Sequence, residues 1–364
     1  MNENVVDQTS PISVGAVVVN FNGGESTLRC LQAIGNQSCP PATILVVDNG
    51  SEDGSPGQIR QRFPGVQLIE FGENRGLPAA RNAGLARLET DLALLVDNDV
   101  YLEPDCLEQM LLTYREDGPA VICPRIRLIP QRDIVQADGA EVHFLGNMIL
   151  RHAYQPIGET DSRRSTVGGC IGACYLFERR VAIAAGGFDE LMFFYLEDLE
   201  FAIRLRSSGQ KFICEPAAQA FHERGEGTVG LSFRGRGEYP LRRVYLQTRH
   251  RLITMLVHYR VRTLLLLLPA LALYEAASVA FAVLRGWLGP WCKAWWWVLT
   301  NPGEVLKRRR MVQARRRVND RSLLVGGPIP LSPRLIQSSL LAGAVRCLSA
   351  LLNFYWRITR RLIG

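Results

Sequence analysis

Glu89–Asp105 reads ETDLALLVDNDVYLEPD, and the reading of this stretch decides the fold of the chain. The apolar run Leu92–Val96 stops at Asp97-Asn98-Asp99, and Glu103-Pro104 signals the start of a helix. Short apolar runs closed by polar residues are the pattern of buried strands in an α/β sheet. Residues i and i+2 of an extended chain point the same way, so Asp97 and Asp99 present two carboxylates together. They stand where the strand would leave the sheet, the edge at which open α/β sheets bind ligands. Carboxylate oxygens suit Mg²⁺ or Mn²⁺, and Mg²⁺ is usually shared with substrate phosphates. A solvated strand-to-helix turn uses the same letters. The flanking sequence has to separate the two.

Upstream, the β-branched run Ile12–Val19 ends at Asn20-Phe21-Asn22-Gly23-Gly24 and is followed by a helical pattern over Glu25–Asn36. Thr43–Val47 and Val66–Phe71 read as further strands, and Pro78–Gly84 opens another helix. This alternation predicts a parallel sheet with right-handed crossovers. No G-x-G-x-x-G follows the first run, which disfavours an NAD enzyme. Asp48, at the tip of the second strand, either accepts hydrogen bonds from a nucleobase or ribose or caps its own turn. Arg75, Arg81 and Asn82 lie near a helix N-terminus, a setting that suits a diphosphate, or else are ordinary surface groups.

Downstream, residues 125–165 carry Arg125, Arg127, Arg132, Arg151, Arg163 and Arg164 in irregular sequence, as expected of an insertion covering a site. The small residues of Gly168–Phe177 allow either close approach of backbone to a ligand or tight strand packing. Glu197, Asp198 and Glu200 stand at a helix start, where acids favour the macrodipole and one of them could serve as a general base. Lys211–Cys214 reads as a short strand followed by a loop, Phe221–Arg224, in which His222 is a structural histidine or a metal ligand.

In order along the chain, VVVNFNGG (17–24), VVDNGS (46–51), ENRGLPAARNAG (73–84), VDNDV (96–100), GGFDE (186–190), FFYLEDLEFAIRLRSSG (193–209) and His222 resemble the motifs of glycosyltransferase family 2. The nearest likeness is to its bacterial rhamnosyltransferase-like branch, which builds cell-wall and surface polysaccharide. The resemblance implies a GT-A fold, a Rossmann-like mixed α/β sheet, and inversion at the anomeric centre. It implies a nucleotide-diphospho-sugar donor, a glycan or polyprenyl-linked acceptor, and a divalent cation. Carried over motif by motif, the implied donor-binding residues are Asn20, Asn22, Asp48, Asn49, Arg75, Arg81, Asn82, Asp97 and Asn98. The implied metal ligands are Asp97, Asp99 and His222, with Asp99 the more direct. Asp198, paired with Glu197, would be the catalytic base, and Gly169, Cys170 and Gly172 would flank the acceptor. Asn20-Phe21-Asn22-Gly23 replaces the more usual Tyr-containing loop. A sugar nucleotidyltransferase would need a Gly-rich triphosphate loop with a basic residue near the N-terminus, and none is found. A silent nucleotide-sugar-binding scaffold would not need Asp97, Asp99 and Asp198 together.

The 364 residues allow about two domains. The net charge of +7 hides an asymmetry: residues 251–364 hold 18 Lys and Arg against 3 Asp and Glu, and residues 1–250 hold 24 against 32. We therefore expect a tail at 1–10, a catalytic domain at 11–250 and a basic helical region at 251–364. The nine cysteines, with no C-x-x-C pair, read as buried apolar residues of a reducing compartment. MNENVVDQTS has neither a basic nor an apolar signal region, so no secretory signal is expected. Val261–Leu284 is long enough to cross a bilayer, but one crossing would put Lys307–Arg310 on the far side, against the positive-inside rule. The expectation is helices in or on the cytoplasmic leaflet of a bacterial inner membrane, peripheral or monotopic, helped by Trp287, Trp291 and Trp295 on one helical face. Those tryptophans could instead pack on the catalytic domain. An anionic membrane surface is preferred to nucleic acid as the partner, because long apolar stretches separate the basic clusters.

Overall fold

The computed structural model describes residues 12–223, 239–331, 335–336 and 338–363. The expected 1–10 tail and Arg224 lie outside them. The first half alternates as its apolar runs predict: β1 (Val14–Asn20), α1 (Gly24–Gly35), β2 (Thr43–Asp48), α2 (Ser55–Arg62), β3 (Gln67–Glu70), α3 (Leu77–Arg87) and β4 (Leu92–Asp97). Then follow β5 (Val100–Leu102), α4 (Cys106–Asp117), β6 (Ala120–Leu128), β7 (Val135–Ala137), β8 (Ala140–His143), β9 (Met148–Leu150), β10 (Ser165–Thr166) and β11 (Cys174–Glu178). After α5 (Arg179–Ala184), α6 (Glu197–Ser207) and β12 (Lys211–His222) come α7 (Leu241–His258), α8 (Val261–Leu284), α9 (Leu288–Thr300) and α10 (Pro302–Ala314). The last elements are α11 (Asp320–Leu323), β13 (Leu324–Val325) and α12 (Ser339–Thr359).

The main sheet runs β10-β12-β6-β11-β4-β1-β2-β3, with β5 added to β12 and β7 to β6. The predicted parallel arrangement holds for β3-β2-β1-β4. It fails at β11, which runs antiparallel to β4 and β6. There the chain returns after the long excursion of residues 120–173 rather than through one crossover helix, so nothing fixes a parallel sense. Residues 125–165 are likewise more regular than expected, since β6 to β10 fall largely within them. His222 is no loop residue either. It closes the twelve-residue strand β12, bent between Glu215 and Gln219.

Strand alternation sorts the core. Ala16 and Val18 of β1 face α1 and α4 on one side of the sheet, while Val17 and Val19 face α3 and α6 on the other. A third core joins Leu199 and Ile203 of α6 to Leu252 of α7, Leu323 and Trp356. Within it Phe144 stacks on Trp356 at 4.9 Å, and β13 pairs with β8. The C-terminal helices thus share a core with α6, and the boundary expected at 250/251 falls inside α7.

Much of the basic sequence is spent on this docking. The last carbonyls of a helix have no partner within it. At the end of α7, Arg309 donates to Leu256 O (2.6 Å) and Tyr259 O (2.7 Å), and Gln313 to Val257 O and His258 O. Arg316 also donates to His258 O, and Arg308 pairs with Asp189 at 2.7 Å. The tryptophan stripe turns inward too: Trp295 joins the third core, and Trp287 packs on Tyr239 and Phe281. Six cysteines are buried as expected, whereas Cys39, Cys292 and Cys347 are exposed.

Candidate active site

β1, β2 and β4 end at one edge of the sheet, with Asn20 opposite Asp48 and Val19 opposite Asp97. At the β2 tip, fully buried Asn20 donates to Asp48 Oδ1 (2.7 Å) and Ser55 Oγ (2.8 Å) and accepts from Thr27 Oγ1 (2.6 Å). Asp48 Oδ2 accepts from the backbone of Gly50 and Ser51, so this carboxylate caps its own turn. Asn22 Oδ1 accepts from Glu52 N, and Asn98 Nδ2 donates to Thr27 Oγ1. Asn49 ties the tip to the next loop through Asn74 Oδ1 and Arg75 N. The Arg75 side chain is exposed and lies over the Phe71 ring. Asn82 is turned elsewhere, its amide bracketing the backbone N–H and C=O of Phe188.

Arg81 is the centre of the site. It is 2% exposed, and its Nη2 donates to Asp97 Oδ1 (2.8 Å) and Gly172 O (2.7 Å), while Nη1 reaches Glu197 Oε1 at 3.3 Å. A Cβ at position 172 would stand 2.7 Å from Nη2, so any side chain there would push the guanidinium out of this position. Gly172 N in turn donates to Asp198 Oδ2 at 2.9 Å. One chain of contacts therefore runs Asp97–Arg81–Gly172–Asp198 across four separate stretches of sequence. Burial raises the Asp97 carboxyl, opposed by Arg81. Burial also raises Asp198, opposed by the N–H groups of Gly172 and Leu199. Glu197 is pushed up by burial and then by the like charge of Asp198, and its buried Oε2 has no hydrogen-bond partner among the described residues. Two adjacent carboxylates in one buried place cannot both ionise cheaply, so Asp198, less deeply buried than Glu197 and holding two backbone N–H groups, is the one suited to carry charge.

The segment before α6 is held in an unusual shape. Phe193, Tyr195 and Leu196 have positive φ of 39°, 71° and 62°, conformations that non-glycine residues rarely keep without outside support. The support comes from α7. His250 Nδ1 donates to Tyr195 O at 2.7 Å, and Arg249 donates to Leu191 O at 2.9 Å. A carbonyl only accepts, so the imidazole proton sits on Nδ1 and Nε2 accepts from Arg249 Nη2 at 2.8 Å. Burial lowers the His250 imidazole to about 3, which keeps this neutral form. The sequence reading missed Arg249 and His250 because they lie beyond His222, the last residue carried by the matched motifs. The adjacent Arg-His pair inside an apolar helical run was the available signal.

On the other side of Asp97, Asp99 Oδ1 and His222 Nε2 lie 3.2 Å apart, and His222 Nδ1 contacts Gln136 Oε1 at 2.9 Å. Among the described residues no three acidic, histidine or cysteine side chains close into a metal cage. Of the three expected ligands the structure pairs Asp99 with His222, while Asp97 is engaged by Arg81. Of the residues expected to flank an acceptor, Gly172 borders Asp198, Gly169 is bridged to Ala140, and the buried Cys170 thiol lies beside Cys123 in the core.

The Glycosyl transferase family 2 profile matches residues 16–184. The chain is 28% identical over 235 residues to the N-acetylglucosaminyl-diphospho-decaprenol L-rhamnosyltransferase of Mycobacterium tuberculosis, covering 58% of this chain and 76% of that protein. It is also 28% identical over 211 residues to the pre-mycofactocin glycosyltransferase of the same organism, across 57% and 42% of the two chains. Among solved structures, S. aureus TarS 1–349 in complex with UDP-GlcNAc aligns with a TM-score of 0.53 over 96% of this chain and 92% of that one, at 15% identity. GalNAc-T7 with UDP, GalNAc and Mn²⁺ aligns with a TM-score of 0.57 over 74% and 52%, also at 15% identity. These likenesses show a GT-A-like mixed α/β sheet. Residues 16–184 match glycosyltransferase family 2, the chain resembles the rhamnosyltransferases of that family, and it is a glycosyltransferase.

Proposed function

We propose that the protein is an inverting, metal-dependent glycosyltransferase. It would move a sugar such as rhamnose from a nucleotide diphosphate to a lipid-linked or polysaccharide acceptor at the cytoplasmic face of a bacterial inner membrane. The observation that carries this reading is the contact chain Asp97–Arg81–Gly172–Asp198, which puts a candidate base beside the strand edge where a donor would sit. The acceptor class follows the mycobacterial relative, whose substrate is a decaprenol diphosphate sugar.

Asp99, His222 and the second oxygen of Asp97 would hold the cation. Their donor set of hard oxygens with one imidazole fits Mg²⁺ or Mn²⁺. The 3.2 Å between Asp99 Oδ1 and His222 Nε2 is close to the roughly 3 Å between neighbouring ligands of an octahedral ion. A partial protein shell also suits an ion that shares its ligands with substrate phosphates. Bound there, the cation would offset the negative charge that develops on the leaving diphosphate. Asp198 would take the acceptor hydroxyl proton as that oxygen attacks from the opposite face, so one displacement inverts the centre. Arg81 keeps Asp97 and Glu197 in place, and Glu197, more buried than Asp198, acts by position.

Asp198→Asn tests the role. Transfer should fall by about 10²–10⁴-fold while donor affinity, read by calorimetry, stays within about twofold. In the unaltered protein, transfer should decline on acidification at a higher pH than an ordinary carboxylate would give, because burial raises Asp198. Unchanged transfer in the variant would remove Asp198 from the role of base.

A further inference from the structure

We propose that the outward faces of α8 and α12 seat the protein in the plane of an anionic bilayer, with α8 lying along the surface rather than crossing it. This rests on the membrane placement proposed above and is independent of the transfer chemistry, so failure to float would leave the glycosyltransferase reading standing.

A surface helix of a water-soluble protein is apolar inward and polar outward. α8 breaks that rule. Thr263, Leu267 and Ala270 face the protein, while Val261, Leu265 (67% exposed), Leu268 (60%), Ala272, Ala276 and Val283 face away from it. The outer face therefore needs a second apolar phase. α12 carries a matching stripe at three- and four-residue spacing: Leu340 (85% exposed), Ala344, Cys347, Leu351, Phe354 (64%) and Ile358. The two helices are neighbours, joined by Tyr355 OH donating to Leu266 O at 2.7 Å.

Charge decides what covers these faces. Beside the α12 stripe stand exposed Arg346, Arg357, Arg360 and Arg361, and α12 contains no acidic residue. A second copy of the chain would bring arginines against arginines in an isologous contact. Anionic headgroups meet them with opposite charge, and arginine flanking an apolar stripe is suited to reaching those groups from a helix at the interface.

The inner face of α8 argues against crossing. Glu275 in the helix pairs with Arg251 of α7, and Tyr274 accepts from Asn147 at 3.3 Å. Arg251 also donates to Leu145 O at 3.0 Å. A helix along the bilayer normal would drag these polar groups of the catalytic domain into hydrocarbon. Lying in the plane, α8 immerses only the side that the protein leaves bare.

The test uses the full chain with sealed vesicles of phosphatidylcholine, with and without phosphatidylglycerol. The protein should float with the anionic vesicles. Leu351→Glu combined with Phe354→Glu and Ile358→Glu, all at exposed positions, should lower that partitioning at least about tenfold without changing the thermal melt. Arg346→Gln with Arg357→Gln and Arg361→Gln should weaken binding to anionic vesicles and leave any binding to phosphatidylcholine alone. In a background with Cys39, Cys292 and Cys347 changed to serine, Arg262→Cys and Arg285→Cys mark the two ends of α8. Both should react with a membrane-impermeant maleimide added outside the vesicles. Protection of one end would mean crossing and overturn the proposal. Failure of the unaltered protein to float, or flotation unaffected by the triple Glu variant, would also overturn it, as would self-association through this face.

Discussion

At the sheet edge, Arg81, Asp97, Glu197 and Asp198 lie against one another below the surface. On α8 and α12, by contrast, Leu265, Leu268, Leu340 and Phe354 stand outward in the place of polar groups. Each region inverts the usual distribution, charge inside and apolar surface outside. The difference lies in what balances the cost. Arg81 and the N–H groups of Gly172 and Leu199 offset most of the buried charge from within the chain, with Glu197 Oε2 left as the atom without a hydrogen-bond partner among the described residues. The bare leucines have no such partner among the described residues. A buried charged cluster can therefore be understood from the chain alone, whereas an exposed apolar face points to something outside it.

The sharpest way to break this contrast is to take away a partner. Arg81→Met leaves Asp97 and Glu197 facing each other unpaired. It should destabilise the protein by about 3–5 kcal/mol in urea unfolding and abolish transfer. Survival of both would mean that the cluster is not internally balanced. Arg316→Ala removes the side-chain partner of buried Asp320 and a donor to His258 O, without touching Asp97, Arg81 or Asp198. It should cost about 3–5 kcal/mol as well, with donor affinity retained at a temperature where the variant is folded. Arg310→Ala, in the same basic stretch but exposed, should change stability by less than about 0.5 kcal/mol.

His250→Ala loses the donor to Tyr195 O and should cost about 1–3 kcal/mol. Because it releases the segment in front of Asp198, kcat should fall more than KM for the donor rises. His250→Asn, whose amide can take the place of Nδ1–H, should recover part of the loss. A uniform loss in both variants matched to their stability would reduce His250 to a packing residue.

Local sequence carried the first half of the fold because its signals are short-range. Apolar runs of strand length ending in Asp or Asn, with helical stretches between, place β1 to β4 and their shared edge. The same signals could not show that β11 runs backwards, or that β12 continues through its bend to His222, since both depend on partners distant in sequence. The carboxylates at 97 and 99 and the one at 198 were legible as two separate motifs. The Arg81 guanidinium, which joins Asp97 to Glu197 and to the Gly172 carbonyl, read only as a cation near a helix start. In the C-terminal region, Lys307–Arg310 and Arg315–Arg317 read as clusters awaiting an anionic partner. Arg308, Arg309 and Arg316 instead have partners in the chain: the carbonyls ending α7, with Asp189 and Asp320.

By itself, the sequence determined which residues could do chemistry and the order in which strands and helices would form, because side-chain type and local periodicity are carried residue by residue. Tertiary structure alone decided which charges neutralise one another, which helix braces the segment before Asp198, and which apolar side chains are left without cover. Those outcomes depend on contacts between residues separated by tens to hundreds of positions, as Arg81 and Glu197 are, and no local pattern of letters encodes them.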